Sequence, residues 1–302
     1  MEKFLGIDVG GTNVKFGVVK ADGELLTKVK YPTKELRREG HFVQHFLEAV
    51  EEQLNEHSDI EKIGIGVPGM LSRDRKVTLE MANIPALNGV RLYDKLKAAF
   101  PKKIFHLEND ANAAALGEYY FGTRALPETY LFITLGTGVG SAAIINKQIF
   151  HGGDGNAMEA GHIIAGNGRT VEENIGKAGI LEMALKGIES YGGKTALASI
   201  ENLDAKKVVK AAKKGDKLAQ EIFKEVGSVL GECLVSLTRL LDIKTVLIGG
   251  GVAQTFPLIK ESMHASLAKH LTPYYTKQID VELATLGNEA GIIGAASLCF
   301  ID

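Results

Sequence analysis

Phe4-Leu-Gly-Ile-Asp-Val-Gly-Gly-Thr-Asn-Val-Lys-Phe-Gly-Val-Val19 opens the chain, and Tyr130-Leu-Phe-Ile-Thr-Leu-Gly-Thr-Gly-Val-Gly-Ser-Ala-Ala-Ile-Ile145 repeats its plan in mid-sequence. Each is an apolar run, a Gly/Thr turn and a second apolar run, the pattern of a β-hairpin. A pattern that occurs twice predicts two lobes, each opened by its own hairpin. Short apolar runs surround the hairpins at Ile63 to Val67, Ile104 to Leu107, Thr245 to Ile248 and Ile279 to Ala284. They alternate with helical periodicity over Phe42 to Glu56, Ala111 to Phe121, Asp204 to Lys213, Lys217 to Leu241, Pro257 to His270 and Glu289 to Phe300. That alternation argues α/β lobes with mixed β-sheets. Gly122 and Pro127 break the periodicity. The expected division is a smaller first lobe over 1–121, with the helix 289–302 packing back on it, and a larger second lobe over 122–288.

A length of 302 residues suits two such lobes, each of about 150 residues. Hydrophobic residues make up 45% and charged residues 24%, which permits a real core and excludes the disordered and fibrous classes. The formal net charge is -2, and the Lys-rich stretch from Lys206 to Lys217 alternates with apolar residues at helical spacing. It reads as a solvated helix face, so no nucleic acid is expected as a partner. Cys233 and Cys299 lie far apart in apolar helical contexts, as buried thiols of a reducing compartment do, and they are too few for a metal cluster. Met1 leads into a strand without a basic and apolar leader, and no apolar run reaches about 18 residues, so a cytoplasmic protein without a membrane partner is expected.

Triphosphate binding needs many N–H donors close to the oxygens, and glycine lets the backbone approach. Asp8, Gly10, Gly11, Thr12 and Asn13 in one turn, and Thr134, Gly136, Thr137 and Gly138 in the other, supply such donors. Either hairpin alone reads as structural glycine at a turn; two facing hairpins could grip one nucleotide. Asp8 ends its strand, where a carboxylate can hold Mg²⁺ through water. Lys15 lies beyond the turn and faces either the phosphates or solvent. A third cluster, Leu247-Ile-Gly-Gly-Gly-Val-Ala253, follows a strand and precedes a helix; its Gly249, Gly250 and Gly251 suit close approach to an adenosine ring and ribose. No P-loop motif is present, and Pro68 within Gly64-Ile-Gly-Val-Pro-Gly69 weakens a dinucleotide reading.

Between the hairpins, Leu107-Glu-Asn-Asp-Ala-Asn-Ala-Ala-Ala-Leu-Gly-Glu118 carries Asn109 and Asp110 at a strand-to-helix junction. A carboxylate there can take a proton from an acceptor hydroxyl while the amide orients that acceptor, or Asp110 can simply cap the helix. Glu159-Ala-Gly-His162 places a carboxylate and an imidazole three residues apart, able to converge on vicinal hydroxyls or to serve structure alone.

Taken in order, Asp8-Val-Gly-Gly-Thr, Gly66-Val-Pro-Gly, Asn83-Ile-Pro, Glu108-Asn-Asp-Ala-Asn-Ala-Ala, Leu135-Gly-Thr-Gly-Val-Gly, Glu159-x-x-His, Gly249-Gly-Gly-Val and Asn288-Glu-Ala-Gly-Ile-Ile-Gly-Ala-Ala span nearly the whole chain. As a set they resemble the ROK family of sugar kinases and regulators, within the superfamily of hexokinase, actin and the heat-shock chaperone ATPases. The resemblance implies two actin-like, ribonuclease H-like lobes with an interlobe cleft. It implies ATP with Mg²⁺, and a hexose contacted by Gly69, Asn83, Asn109, Asp110, Glu159 and His162, with Asp110 as general base. Glu182, in Gly179-Ile-Leu-Glu, matches the family's further sugar-binding glutamate. Glucose is the family's commonest acceptor; N-acetylmannosamine, N-acetylglucosamine, mannose and fructose differ by one or two polar contacts. A homodimer is the expected assembly. A non-catalytic sugar sensor is the other class within the family, but its members carry a DNA-binding segment ahead of the first hairpin, and five residues precede Gly6 here. A structural ATPase like actin would not need the Asn109-Asp110 and Glu159-x-x-His162 sets. Family members commonly hold zinc with three cysteines and the same histidine, whereas Gly166 to Glu182 contains no cysteine. No structural zinc is therefore expected, and Glu172 or Glu173 is the expected orienter of His162. Polyphosphate-using relatives lack zinc in the same way, which leaves polyphosphate open as the donor.

Overall fold

The structure, a computed structural model, describes residues 2–251 and 255–300. Its strands are β1 (Lys3–Val9), β2 (Asn13–Lys20), β3 (Leu25–Pro32), β4 (Lys62–Val67), β5 (Met70–Leu71), β6 (Thr78–Glu80), β7 (Ile104–Asn109), β8 (Tyr130–Leu135), β9 (Val139–Ile145), β10 (Gln148–Ile149), β11 (Thr245–Gly249) and β12 (Asp280–Leu283). Its helices are α1 (Thr33–Leu36), α2 (Phe42–Glu56), α3 (Leu92–Ala99), α4 (Asp110–Phe121), α5 (Val171–Ile175), α6 (Lys177–Ser190), α7 (Ala205–Lys213), α8 (Lys217–Leu241), α9 (Phe256–His270), α10 (Pro273–Thr276) and α11 (Ala290–Ser297).

The repeated hairpin of the sequence becomes a repeated sheet. One sheet has the order β3-β2-β1-β4-β7 and the other β10-β9-β8-β11-β12, each a run of three consecutive strands followed by two that arrive after helices. In the first, β1 is antiparallel to β2 and parallel to β4, and β4 is parallel to β7; in the second, β11 is parallel to both β8 and β12. Parallel neighbours need long crossovers, and the helices between these strands supply them. By spatial compactness the chain forms two units: residues up to 128 with 142–158 and those from 285 onward, and residues 129–141 with 159–284.

In the first unit, alternation along β1 and β4 sends Leu5, Ile7, Ile63 and Ile65 into one apolar cluster with Phe42, Phe46, Leu92 and Leu96 of α2 and α3. The opposite face carries Phe4 and Val19 against Ile292, Ile293 and Ala296 of α11. That helix comes so close to β4 that a Cβ on Gly64 would overlap the Ala295 carbonyl. The predicted helix over 289–300 is an α-helix only to Ser297, with a 3-10 turn at Leu298–Phe300. In the second unit α8 spans 25 residues with an apolar face of Ile222, Val226, Leu230, Leu234 and Leu237. Cys233 and Cys299 are buried and free, and burial pushes both thiols up to about 12.

Candidate active-site residues of the two units

In the first unit the β1–β2 pairing sets Asp8 opposite Lys15. The turn between them closes with the Gly10 N–H donating to the Asn13 carbonyl at 3.0 Å. Thr33 braces it: the hydroxyl donates to the Gly10 carbonyl at 2.6 Å, and the N–H donates to the Thr12 carbonyl at 2.9 Å. Asp8, Gly10, Gly11, Thr12, Asn13 and Lys15 thus share one short hairpin end. Lys15 is committed to neither alternative in the sequence reading, because its ammonium lies 2.6 Å from Asp8 Oδ2; residues directly opposite on antiparallel strands project from the same face. Asp8 suits Mg²⁺ held through water, since that ion needs few protein ligands and keeps most of its waters. Among the described residues no group of three or more His, Cys, Asp or Glu could hold a metal directly.

The acceptor pair stands where β7 ends. Strand pairing with β4 continues to Asn109, and α4 begins at Asp110. Asn109 is the helix cap: Oδ1 accepts the N–H groups of Ala111 and Asn112 at 2.9 and 3.2 Å. Its Nδ2 donates to the Gly69 carbonyl at 3.3 Å. Asp110 is the first helical residue, and its Oδ1 accepts the Ala111 N–H at 2.8 Å. Of the two roles open to Asp110, capping therefore belongs to its neighbour. Asn83 packs against Gly11 of the β1–β2 turn, and its carbonyl accepts Arg37 Nη2. Gly69 is accordingly tied to Asn109, the neighbour of Asp110, and Asn83 to the β1–β2 turn.

In the second unit the β8–β9 turn closes with the Gly136 N–H on the Gly138 carbonyl at 2.9 Å. Thr134 is in register with Gly249 at the end of β11, with Gly250 and Gly251 next in the chain. Val252 and Ala253 of that glycine cluster lie outside the described residues. Two side chains from the α5–α6 region clamp the turn. Lys177 Nζ donates to Thr137 Oγ1 at 3.0 Å, and Glu172 Oε2 accepts the Val139 N–H at 2.8 Å. Gly138 leaves room for Glu172 in this position: a Cβ there would overlap its carboxylate.

This arrangement corrects the expected orienter of His162. Glu172 is engaged with the β9 backbone, and Glu173 closes a capping box with Thr170 at the start of α5. Glu173, which satisfies an orphan donor at the start of α5, is not available to an imidazole, and one Glu172 oxygen is taken by the Val139 N–H. The carboxylate that pairs with His162 is Glu159, with Oε2 3.9 Å from Nε2, and the ring is 65% exposed. Burial lifts the Glu159 carboxyl above the ordinary range; His162 opposes this shift and the neighbouring Glu172 charge adds to it. Glu159 thus feels the charges of both His162 and Glu172. Glu182 does not join them. It lies on α6 with its carboxylate on Arg169 at 2.7 Å and on Lys186 at 2.5 Å, the second being the one-turn spacing that lets helix side chains pair. Lys177 and Glu172 escaped the sequence reading as turn contacts because their partners stand 40 and 33 residues away.

With that geometry in hand, the likeness to known proteins is specific. A sequence model of the ROK family matches residues 4–300. A glucokinase of Thermotoga maritima is 30% identical over 98% of this chain and 96% of its own. A crystal structure from Cytophaga hutchinsonii is 35% identical with a TM-score of 0.91, covering 99% of each chain. A ROK family glucokinase from Streptomyces griseus, solved with glucose and AMPPNP, is 29% identical with a TM-score of 0.82 over 99% of this chain and 100% of that one.

Proposed function

This chain belongs to the ROK family and is a sugar kinase, and we propose that it phosphorylates a hexose, glucose foremost, from ATP with Asp110 as general base. The observation that carries this reading is the division of labour at the β7–α4 junction. Asn109 supplies the cap, so the Asp110 carboxylate beside it is not needed to start the helix. The likeness to a glucokinase solved with glucose and an ATP analogue supports the choice of donor and acceptor.

In this reading Asp110 accepts the proton of a primary hydroxyl as its oxygen attacks the γ-phosphorus, and Asn109, Gly69 and Asn83 orient the sugar. The turn N–H groups of Gly11 and Thr12 are the first unit's candidates for the charge that develops on the phosphoryl oxygens, and those of Thr137 and Gly138 are the second unit's. Mg²⁺, when bound, neutralises part of the triphosphate charge. Asp8 would hold it through water, with Lys15 as a second cation at the same turn. Glu159 and His162, with Glu172 beside them, are the second unit's candidates for vicinal hydroxyls. A symmetric homodimer is the assembly proposed.

A coupled assay over glucose, mannose, fructose, N-acetylglucosamine and N-acetylmannosamine, with ATP and then polyphosphate, tests the reading. Glucose with ATP should give the highest kcat/KM, and Asp110→Asn should lower kcat by ~10²-fold or more with little change in sugar KM. Turnover of Asp110→Asn within a few-fold of wild type would rule out the base.

A further inference from the structure

One residue before the acceptor pair, β7 buries another carboxylate. Glu108 keeps only 4% of its side chain exposed, a strongly unfavourable place for a charge unless both oxygens are met by donors. They are met in a divided way. Oε1 accepts the Asn109 N–H at 2.8 Å and Asn112 Nδ2 at 3.1 Å, which are groups on either side of Asp110. Oε2 lies 2.6 Å from His151 Nε2 and 3.3 Å from Arg75 Nε.

The two donors come from distant sequence and are themselves anchored. Arg75 follows β5, and its Nη2 donates to the Gly155 carbonyl at 2.7 Å. His151 follows β10 in a segment whose Asn156 exchanges two hydrogen bonds, at 2.9 and 3.0 Å, with the Leu71 backbone. Burial alone would raise the Glu108 carboxyl, but the His151 hydrogen bond, the Arg75 charge and Asn112 together hold it below the usual carboxylate range. It is therefore ionised at neutral pH, and His151 Nε2 is the donor of that bond.

We propose that Glu108, gripped by His151 and Arg75, is a positioning residue for phosphoryl transfer that fixes the β7–α4 junction and through it the Asp110 carboxylate. The proposal rests on the reading of Asp110 as general base. Its physical content is that the Glu108–Asn109 peptide, one before the peptide that enters Asp110, is pinned through the Asn109 N–H, and the first helical turn is pinned through the Asn112 side-chain amide. Catalysis by a general base demands a near-attack geometry, and a shift of about 1 Å can cost up to ~10²-fold in rate. Glu108 acts through the backbone, so it is not itself catalytic. The grip is also legible from its far side: Glu108, Arg75 and His151 line a cavity of about 830 Å³ in the first unit, together with Tyr93, His106 and Lys147. The His151 side chain is 41% exposed, so removing it leaves room for water and should not unfold the protein.

His151→Leu is the test, because Glu108→Ala would leave buried donors unpaired and can fail through misfolding alone. Steady-state kinetics with ATP and the best sugar of the panel should show kcat lowered by about 10-fold, with both KM values within about two-fold and a thermal midpoint that is lowered but stays above the assay temperature, because Arg75 still meets Glu108 Oε2. His151→Gln, whose amide can donate to Glu108 Oε2, should recover most of the loss. In the Asp110→Asn background His151→Leu should cost nothing further, since two changes acting through one group are not additive. Wild-type turnover by His151→Leu, no recovery by His151→Gln, or a full-sized loss persisting in the Asp110→Asn background would each overturn the proposal. Wild-type turnover by Asp110→Asn alone would instead sink the reading of the base, a separate result.

Discussion

Asn109 does two jobs with one amide, and substitutions can separate them. Asn109→Asp keeps an oxygen for the Ala111 and Asn112 N–H groups but loses the Nδ2 donor to Gly69, so stability should stay near wild type while sugar KM rises. Asn109→Ala loses both, and denaturant unfolding should report an additional loss of about 1 kcal/mol for the cap. Equal stability of the two variants would show that the cap contributes nothing. A second residue-scale prediction concerns Glu159, whose carboxyl is raised by burial and further by Glu172. A carboxyl raised in the folded state contributes stability below its unfolded value and loses it as pH rises through the folded one. Glu172→Gln removes the like charge and keeps an acceptor for the Val139 N–H, so an NMR titration should find Glu159 moved down towards the ordinary range. An unmoved Glu159 would mean that the two carboxylates do not interact. At this scale the sequence named Asp110, Asn109 and Glu159 because their motifs are local. It offered Asp110 as the possible cap, whereas the cap is Asn109, a residue type that caps helices as well as aspartate does.

At the scale of elements, α8 was legible to the residue over Lys217–Leu241, because a long 3.6-residue apolar period needs no tertiary information. Its start depends on Asp216, which joins two elements. Asp216 accepts the Ala219 N–H of α8 at 2.9 Å, and also the Ala196 N–H at 2.6 Å and the Thr195 hydroxyl at 3.0 Å from the 3-10 turn upstream. Burial works to raise this carboxyl, yet the hydrogen bonds overcome it and leave it lowered. The unfolded chain then binds more protons than the folded one as pH falls, so the contribution is present above the unfolded value and lost below it. Asp216→Ala should cost about 1–2 kcal/mol at neutral pH, and the difference from wild type should shrink in urea titrations at acid pH. A constant difference at all pH values would defeat the assignment. The helices α3 and α6 were not legible: α3 is eight residues, and α6 carries Gly179 and Gly187 inside its period, which lowers the helical signal by about 1 kcal/mol each relative to alanine.

For the whole molecule, the last described residues return to the first strands. Glu118, 1% exposed, accepts the Thr285 N–H at 2.9 Å, the Leu286 N–H at 2.7 Å and the Thr285 hydroxyl at 2.9 Å. From there the chain enters α11, which covers β1 and β4. Gly64→Ala should therefore cost about 3 kcal/mol or more, because the added methyl meets backbone on a packed sheet and cannot be relieved by a rotamer change; a melting curve like that of wild type would contradict this close approach. What the sequence by itself determined was whatever a short window encodes: two hairpins with Gly/Thr turns, α/β alternation, the Asn109-Asp110 junction, and a motif order specific enough to indicate the ROK family. Only the tertiary structure decided that Lys15 sits on Asp8, that Glu172 and not Glu182 stands with Glu159, and that Glu108 is gripped by His151. Some of these pairings join residues tens of positions apart, and all depend on which faces of strands and helices meet. That choice is made by burying apolar surface over the whole chain, so no local period or spacing carries it.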